Sequence, residues 1–123
     1  MRSQQRIVNI MSELVKNALE ADSSDVNVNI KRESDFFEIT VQDNGKGMSE
    51  TTLSKAQEIL NQPHREIYDE YYSGLAGFNQ SDSGLNVVGF QIDESEITSS
   101  PEGTTIRVKR DNTNSSKRKK NKR

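Results

Sequence analysis

The apolar residues of this chain change period once near its start, and that change limits the folds open to it. Up to Ala21 they recur every three or four residues, at Ile7, Ile10, Met11, Leu14, Val15, Ala18 and Leu19. That stripe predicts an amphipathic helix over residues 3–21, with Ser3 as its N-cap. "DSSD" at 22–25 breaks the stripe. From there the period is two. "VNVNI" (26–30) and "FFEITVQ" (36–42) alternate apolar and polar side chains, as half-buried strands do. "RESD" between them is a turn signal, so the two strands are expected to form an antiparallel hairpin.

Further on, "MSETTLSKAQEIL" (48–60) returns to helical spacing, with Ser49 as N-cap, Leu53, Ala56 and Leu60 on the apolar side and Pro63 as the stop. Residues 62–83 show no period, which predicts a long loop, and loops of that length are usually functional or disordered. "GLNVVGFQI" (84–92) fits a short helix or an apolar turn. "SEITSS" (95–100) and "TTIRVKR" (104–110) are strands joined by the turn signal "PEG". The order is helix, strand, strand, helix, loop, short helix, strand, strand, without internal repeats. It predicts an α+β fold, a two-layer sandwich with helices on one face of a mostly antiparallel sheet.

Composition sets the scale. Of 123 residues, 30% are hydrophobic and 29% charged, enough for one domain with a small core. There is no cysteine, which excludes a disulfide framework and a thiolate zinc site. No apolar run approaches the roughly 18 residues of a membrane span, and no signal peptide is recognisable. A soluble, cytoplasmic chain is expected. The net charge of −2 conceals an asymmetry, because residues 117–123 carry six of the 17 basic residues and no acid. The expected division is a folded domain over 1–110 and a disordered basic tail over 111–123. Such a tail could touch nucleic acid or simply stay solvated, and no aromatic residue interleaves its charges to stack on bases.

Two local patterns carry chemistry. Glu13 and Asn17 stand one helical turn apart on the flank of the apolar stripe. They are either a boundary pair on a surface helix or oxygen donors for a hydrated Mg²⁺. "DNGKGM" (43–48) follows a strand and precedes a helix. It is either a type I′ turn or a backbone built for close approach, with Gly45 and Gly47 supplying unusual φ values and Asp43 a carboxylate able to accept from an amino group.

Together the blocks resemble the GHKL superfamily of ATP-binding domains, the histidine kinase-like ATPases with their Bergerat-type sandwich. "SELVKNALEA" (12–21) is similar to the N box and "DNGKGM" to the G1 box. "SGLAGFNQSDSGLNVVG" (73–89) resembles the ATP lid and G2 box, although Ser83 stands where that box has a glycine. "SSPEGTTIRV" (99–108) resembles the closing strand pair, so the likeness spans residues 7–110. It implies ATP and Mg²⁺ as ligands. By that likeness Asn17 would ligate the metal and Asp43 would accept from the adenine amino group. Gly45, Gly47 and Met48 would shape the adenine pocket, with Thr104 or Thr105 near its end. Gly74, Gly77, Gly84 and Leu85 would belong to the lid and the phosphate-facing turn. Glu13 would be the catalytic carboxylate.

The subclass is less constrained. The sole histidine, His64, follows Pro63 in a polar segment and is expected to be a loop residue, not a phospho-acceptor. The run from Gly84 resembles stand-alone anti-sigma-factor and switch serine kinases, which place an F-x-I strand soon after the G2 turn, here Phe90 to Ile92. That implies phosphate transfer to a serine or threonine of a partner protein. The alternative is a nucleotide-gated binding module or an ATPase fragment without kinase activity. Family members usually carry a strand and helix before the N box. This chain starts just before the N box, so one sheet edge is expected to be missing, and the chain is expected either to be a fragment or to need a partner or oligomer to complete it. The "YDEYY" patch (Tyr68, Tyr71, Tyr72) either forms a protein interface or packs down on the domain.

Overall fold

A computed structural model describes residues 3–61 and 84–111. Among them, helix α1 (Ser3–Glu20) leads into strands β1 (Val26–Arg32) and β2 (Phe36–Asp43). Helix α2 (Glu50–Leu60), the short helix α3 (Gly84–Gly89) and strands β3 (Glu94–Ser100) and β4 (Gly103–Asp111) follow. The four strands form one antiparallel sheet in the order β1-β2-β4-β3. The helices lie on one face, so the α+β sandwich is as expected. No described helix is long and apolar enough to cross a membrane.

The core lies where the alternation of β2 and β4 meets the stripe of α1. Phe37, Ile39 and Val41 of β2 and Ile106 and Val108 of β4 point to the helical face and are buried. Ile10, Leu14 and Ala18 of α1 close over them at 0–1% exposure. Ala56 and Leu60 of α2 and Leu85 and Val88 of α3 extend the layer. One polar cluster sits inside it. Arg6 of α1 donates to Gln91 Oε1 (3.3 Å), and Arg110 of β4 donates to the Gln91 carbonyl (2.8 Å). All three side chains are buried. They tie the end of α3 to α1 and to the sheet.

The open face of the sheet is polar. Arg107 donates to Glu38 at 2.7 Å and to Glu96 at 3.1 Å, bridging the strands on either side of β4. The bond to Glu38, then that to Glu96, raises its pKa further above the ordinary value, so it stays charged. Lys109 lies 4.5 Å from the centroid of the Phe36 ring, a cation–π contact.

Local endings follow from single residues. Asp22 takes a left-handed φ of 63°, which acidic and amide side chains tolerate better than most. Ser23 donates to the Ala18 carbonyl at 2.7 Å, and α1 stops there. Ser49 caps α2 by accepting from the Thr52 N–H at 3.1 Å.

Four expectations need correction. Ser3 is itself helical, so it is not the cap of α1. Strand β1 is not half-buried. Val28 and Ile30 share the inner face with Val41 and Ile39, yet each is 41% exposed because β1 is an edge strand that α1 does not fully cover. Phe90–Ile92 is not a strand but the turn leaving α3. There the Phe90 N–H donates to the Asn86 carbonyl, and the Gln91 side chain donates to the Val87 carbonyl. Strand β4 runs through Asp111, whose N–H donates to Asp93 Oδ2 at 2.7 Å. The expected stop at Pro63 and the loop over 62–83 lie outside the described residues, as does the tail from residue 112.

Leu14 has no exposed surface, and it joins α1 to the centre of the core. Leu14→Ala is expected to cost about 2–5 kcal/mol of unfolding free energy, read from the midpoint of a urea titration at unchanged slope.

Candidate functional site

The segment from Asp43 to Met48 leaves the sheet and enters α2, and hydrogen bonds hold every residue along it except Gly47. Asp43 Oδ1 accepts from the Gly45 N–H at 2.8 Å and from the Thr104 N–H at 3.3 Å. Asn44 Oδ1 accepts from the Ser24 and Asp25 N–H groups, and its Nδ2 donates to Ser24 Oγ. The Lys46 N–H donates to the Ala21 carbonyl. The Met48 N–H donates to Ser99 Oγ at 2.8 Å, and Ser99 Oγ is itself 2.8 Å from Thr104 Oγ1. One polar chain therefore joins the end of β2, the end of β3 and the start of β4.

The glycines serve this closure. A Cβ on Gly45 would come within 2.6 Å of the Ala21 carbonyl oxygen. Gly47 has φ +79°, and a Cβ there would overlap the Ser100 carbonyl. Gly103 is equally tight against the Asp43 carbonyl. A type I′ turn needs positive φ at both central residues. Neither Asn44 nor Gly45 has it, so the hairpin-turn alternative is excluded.

Beside this segment, α1, α2 and α3 enclose a cleft of about 430 Å³, within the range of small-molecule sites. Glu13 and Asn17 line its α1 wall, with Lys16 and Glu20. The α2 wall presents Thr52, Lys55, Ala56 and Ile59, and Met48, Gly84 and Leu85 complete the lining. Glu13 stands against the start of α3, where a Cβ on Gly84 would overlap its Oε1. Glu13 and Asn17 are half-buried, and among the described residues neither side chain has a hydrogen-bond or ion-pair partner.

The structure thus gathers Glu13, Asn17, Met48, Gly84 and Leu85 in one cleft. Asp43, Thr104 and Thr105 line a second depression, at the ends of β2, β3 and β4. Met48 joins the two through its bond to Ser99, which lines that depression. Gly45 and Gly47 line neither. They form the backbone behind the site and pack against Ala21 and Ser100. Gly74, Gly77, Tyr68, Tyr71, Tyr72 and His64 lie outside the described residues.

Sequence reasoning missed Lys16, Glu20, Thr52, Lys55 and Ser99. A signal existed for the helical ones. Glu13, Lys16, Asn17 and Glu20 follow i, i+3, i+4, i+7, as do Thr52, Lys55, Ala56 and Ile59. Nothing local in "SSPEG" marks Ser99 over Ser100.

A family model described as "Histidine kinase-, DNA gyrase B-, and HSP90-like ATPase" matches residues 2–115. No curated protein matches the chain.

Because Gly45 and Gly47 are required by contacts within the chain, their loss should be felt without any ligand. Gly47→Ala is expected to lower stability by at least about 1–2 kcal/mol from the left-handed backbone alone, with the Ser100 overlap added. Gly45→Ala should also destabilise. Urea unfolding of the ligand-free protein measures both. Unchanged midpoints would mean that the segment relaxes at no cost.

Proposed function

We propose that this chain, which belongs to the histidine kinase-, DNA gyrase B- and HSP90-like ATPases and is an ATP-binding module of that family, binds Mg-ATP with its phosphates in the cleft between α1, α2 and α3 and its base toward the adjoining depression at Asp43, the two meeting at Met48. The observation that carries the reading is the Asp43 carboxylate. The residue is 8% exposed. Two backbone N–H groups fix Oδ1, while Oδ2 accepts no hydrogen bond among the described residues. A carboxylate oxygen held this way is an acceptor waiting for a donor, and the adenine amino group is one.

The residues present fit the rest of the ligand. Met48 offers an apolar, adaptable surface to a base. Lys16 and Lys55, on facing walls, are cations for phosphate oxygens. Asn17 supplies an uncharged oxygen of the kind Mg²⁺ accepts. Among the described residues no group of three His, Cys, Asp or Glu could hold a metal alone, so the ion's other ligands would be phosphate oxygens and water. When bound, Mg²⁺ supplies charge neutralisation on the phosphates. Glu13, half-buried at the same wall and without a partner among the described residues, would accept a proton from an attacking hydroxyl.

That hydroxyl belongs to water in a slow ATPase, or to a serine or threonine of a partner protein in a switch kinase of the anti-sigma-factor kind. Glu13 supports both forms. A third form binds ATP and gates a partner without turnover.

The first test is a thermal melt with and without Mg-ATP. A ligand confined to the folded state adds about 2.7 kcal/mol at a hundredfold excess over Kd. Wild type should show that shift, and Asp43→Asn should lose it, because an amide can keep the Oδ1 contacts but turns the second acceptor into a donor. A folded wild type without a shift at millimolar Mg-ATP overturns the proposal.

Glu13→Gln separates the forms. It should keep the Mg-ATP shift and lose phosphate release or transfer by about 10²–10⁴-fold, the usual contribution of a general base. Turnover that survives the change removes Glu13 from the reaction.

A further inference from the structure

We propose that two copies of this chain pair edge to edge through β1, about a two-fold axis at Val28, and that this face is a homodimer interface. The large apolar side chains left exposed among the described residues are Val8, Leu19, Val28 and Ile30, at 54%, 58%, 41% and 41%. All four belong to one side of the molecule. Val28 and Ile30 lie on the helical face of the outermost strand. Val8, Val15 and Leu19 follow i, i+7, i+11 on α1, on the flank opposite Glu13 and Asn17. The nucleotide cleft uses one flank of α1, and this apolar strip uses the other.

Among the described residues, nothing pairs with the outer edge of the strand beside the strip. The Asn44 N–H donates to the Asp25 carbonyl, and the Glu33 N–H donates to the Phe36 carbonyl. Odd-numbered residues of β1 therefore turn their backbone groups toward β2. In an antiparallel ladder the even-numbered ones, Val26, Val28, Ile30 and Arg32, then turn theirs outward. An edge of this kind is a template for another strand.

What identifies the occupant as a second copy is the self-complementarity of the sequence. A two-fold at Val28 sets Val28 against Val28 and Val26 against Ile30 on the helical face. On the open face it sets Asn27 against Asn29 and Asp25 against Lys31. Within the chain, neither Asp25 nor Lys31 has an ion-pair partner among the described residues. Apolar meets apolar, amide meets amide, and acid meets base twice, as an isologous contact requires. Other registers lose this match. A two-fold at Asn29 sets Asp25 against Glu33 and Val26 against Arg32. A two-fold at Asn27 sets Ile30 against Ser24, beyond the end of the strand.

The experiment is sedimentation equilibrium of the full chain over a concentration series, without nucleotide. Wild type should show a monomer–dimer equilibrium. Val28→Lys puts two ammonium groups against each other at the axis and should leave only monomer, with a thermal melt matching that of diluted wild type. Asp25→Lys and Lys31→Asp should each weaken the dimer about tenfold, since each sets like charges opposite one another at two positions. Mixing those two variants should restore wild-type affinity, because each mixed pair regains both opposite-charge contacts. A wild type that stays monomeric at its highest soluble concentration overturns the proposal. So does a dimer that survives Val28→Lys, or a mixture that fails to recover.

Discussion

A single carboxylate oxygen organises this molecule. Asp43 Oδ1 holds the Gly45 N–H, two residues on, and the Thr104 N–H, sixty-one residues away. The first bond bends the chain out of the sheet. The second fastens that bend to the start of β4. Packing then leaves no room for side chains at Gly45, Gly47 and Gly103, because the bend lies against Ala21, Ser100 and the Asp43 carbonyl. The start of α2, and with it one wall of the cleft, is set by a knot of backbone contacts and not by the apolar core. The core supplies the adhesion that keeps the knot closed.

Helix α1 carries three tasks on one 18-residue surface. Its buried stripe joins the core. One flank presents Glu13, Lys16, Asn17 and Glu20 to the cleft. The other presents Val8, Val15 and Leu19 at the edge of the sheet. The angular spacing of a helix keeps these three rows apart, so a change in one row need not disturb another. The same economy explains the low hydrophobic content. Of the three rows on α1, only the stripe has to be apolar for the helix to join the core.

The architecture was legible because the period of apolar residues is a direct record of which backbone buries one face. The rows of α1 and the alternation of β2 and β4 needed nothing beyond local spacing. β1 shows where that record fails. Its alternation is as regular as that of its neighbour, but burial depends on what lies above a strand, and an edge strand under the rim of a helix has little. Ser99 was invisible for a related reason, since a site contact made across the fold leaves no periodic trace. The two glycines of "DNGKG" were legible as backbone that must approach something closely. That the approach is to Ala21 and Ser100 could only be seen in three dimensions. The proposal that the pocket holds a nucleotide rests on resemblance of motifs, because a carboxylate after a strand has many uses.

The central pair of the sheet joins β2 to β4, so it brings together residues as far apart as Phe36 and Asp111. Helix α1 and the β1–β2 hairpin can form from near neighbours, but the second donor of Asp43 arrives only when the chain closes on itself. Closing such a loop is slow, whereas its free-energy cost rises by only about 0.6 kcal/mol for each doubling of length. The bend at Asp43 is therefore the last part of the site to lock, after α1 and the hairpin that flank it have formed.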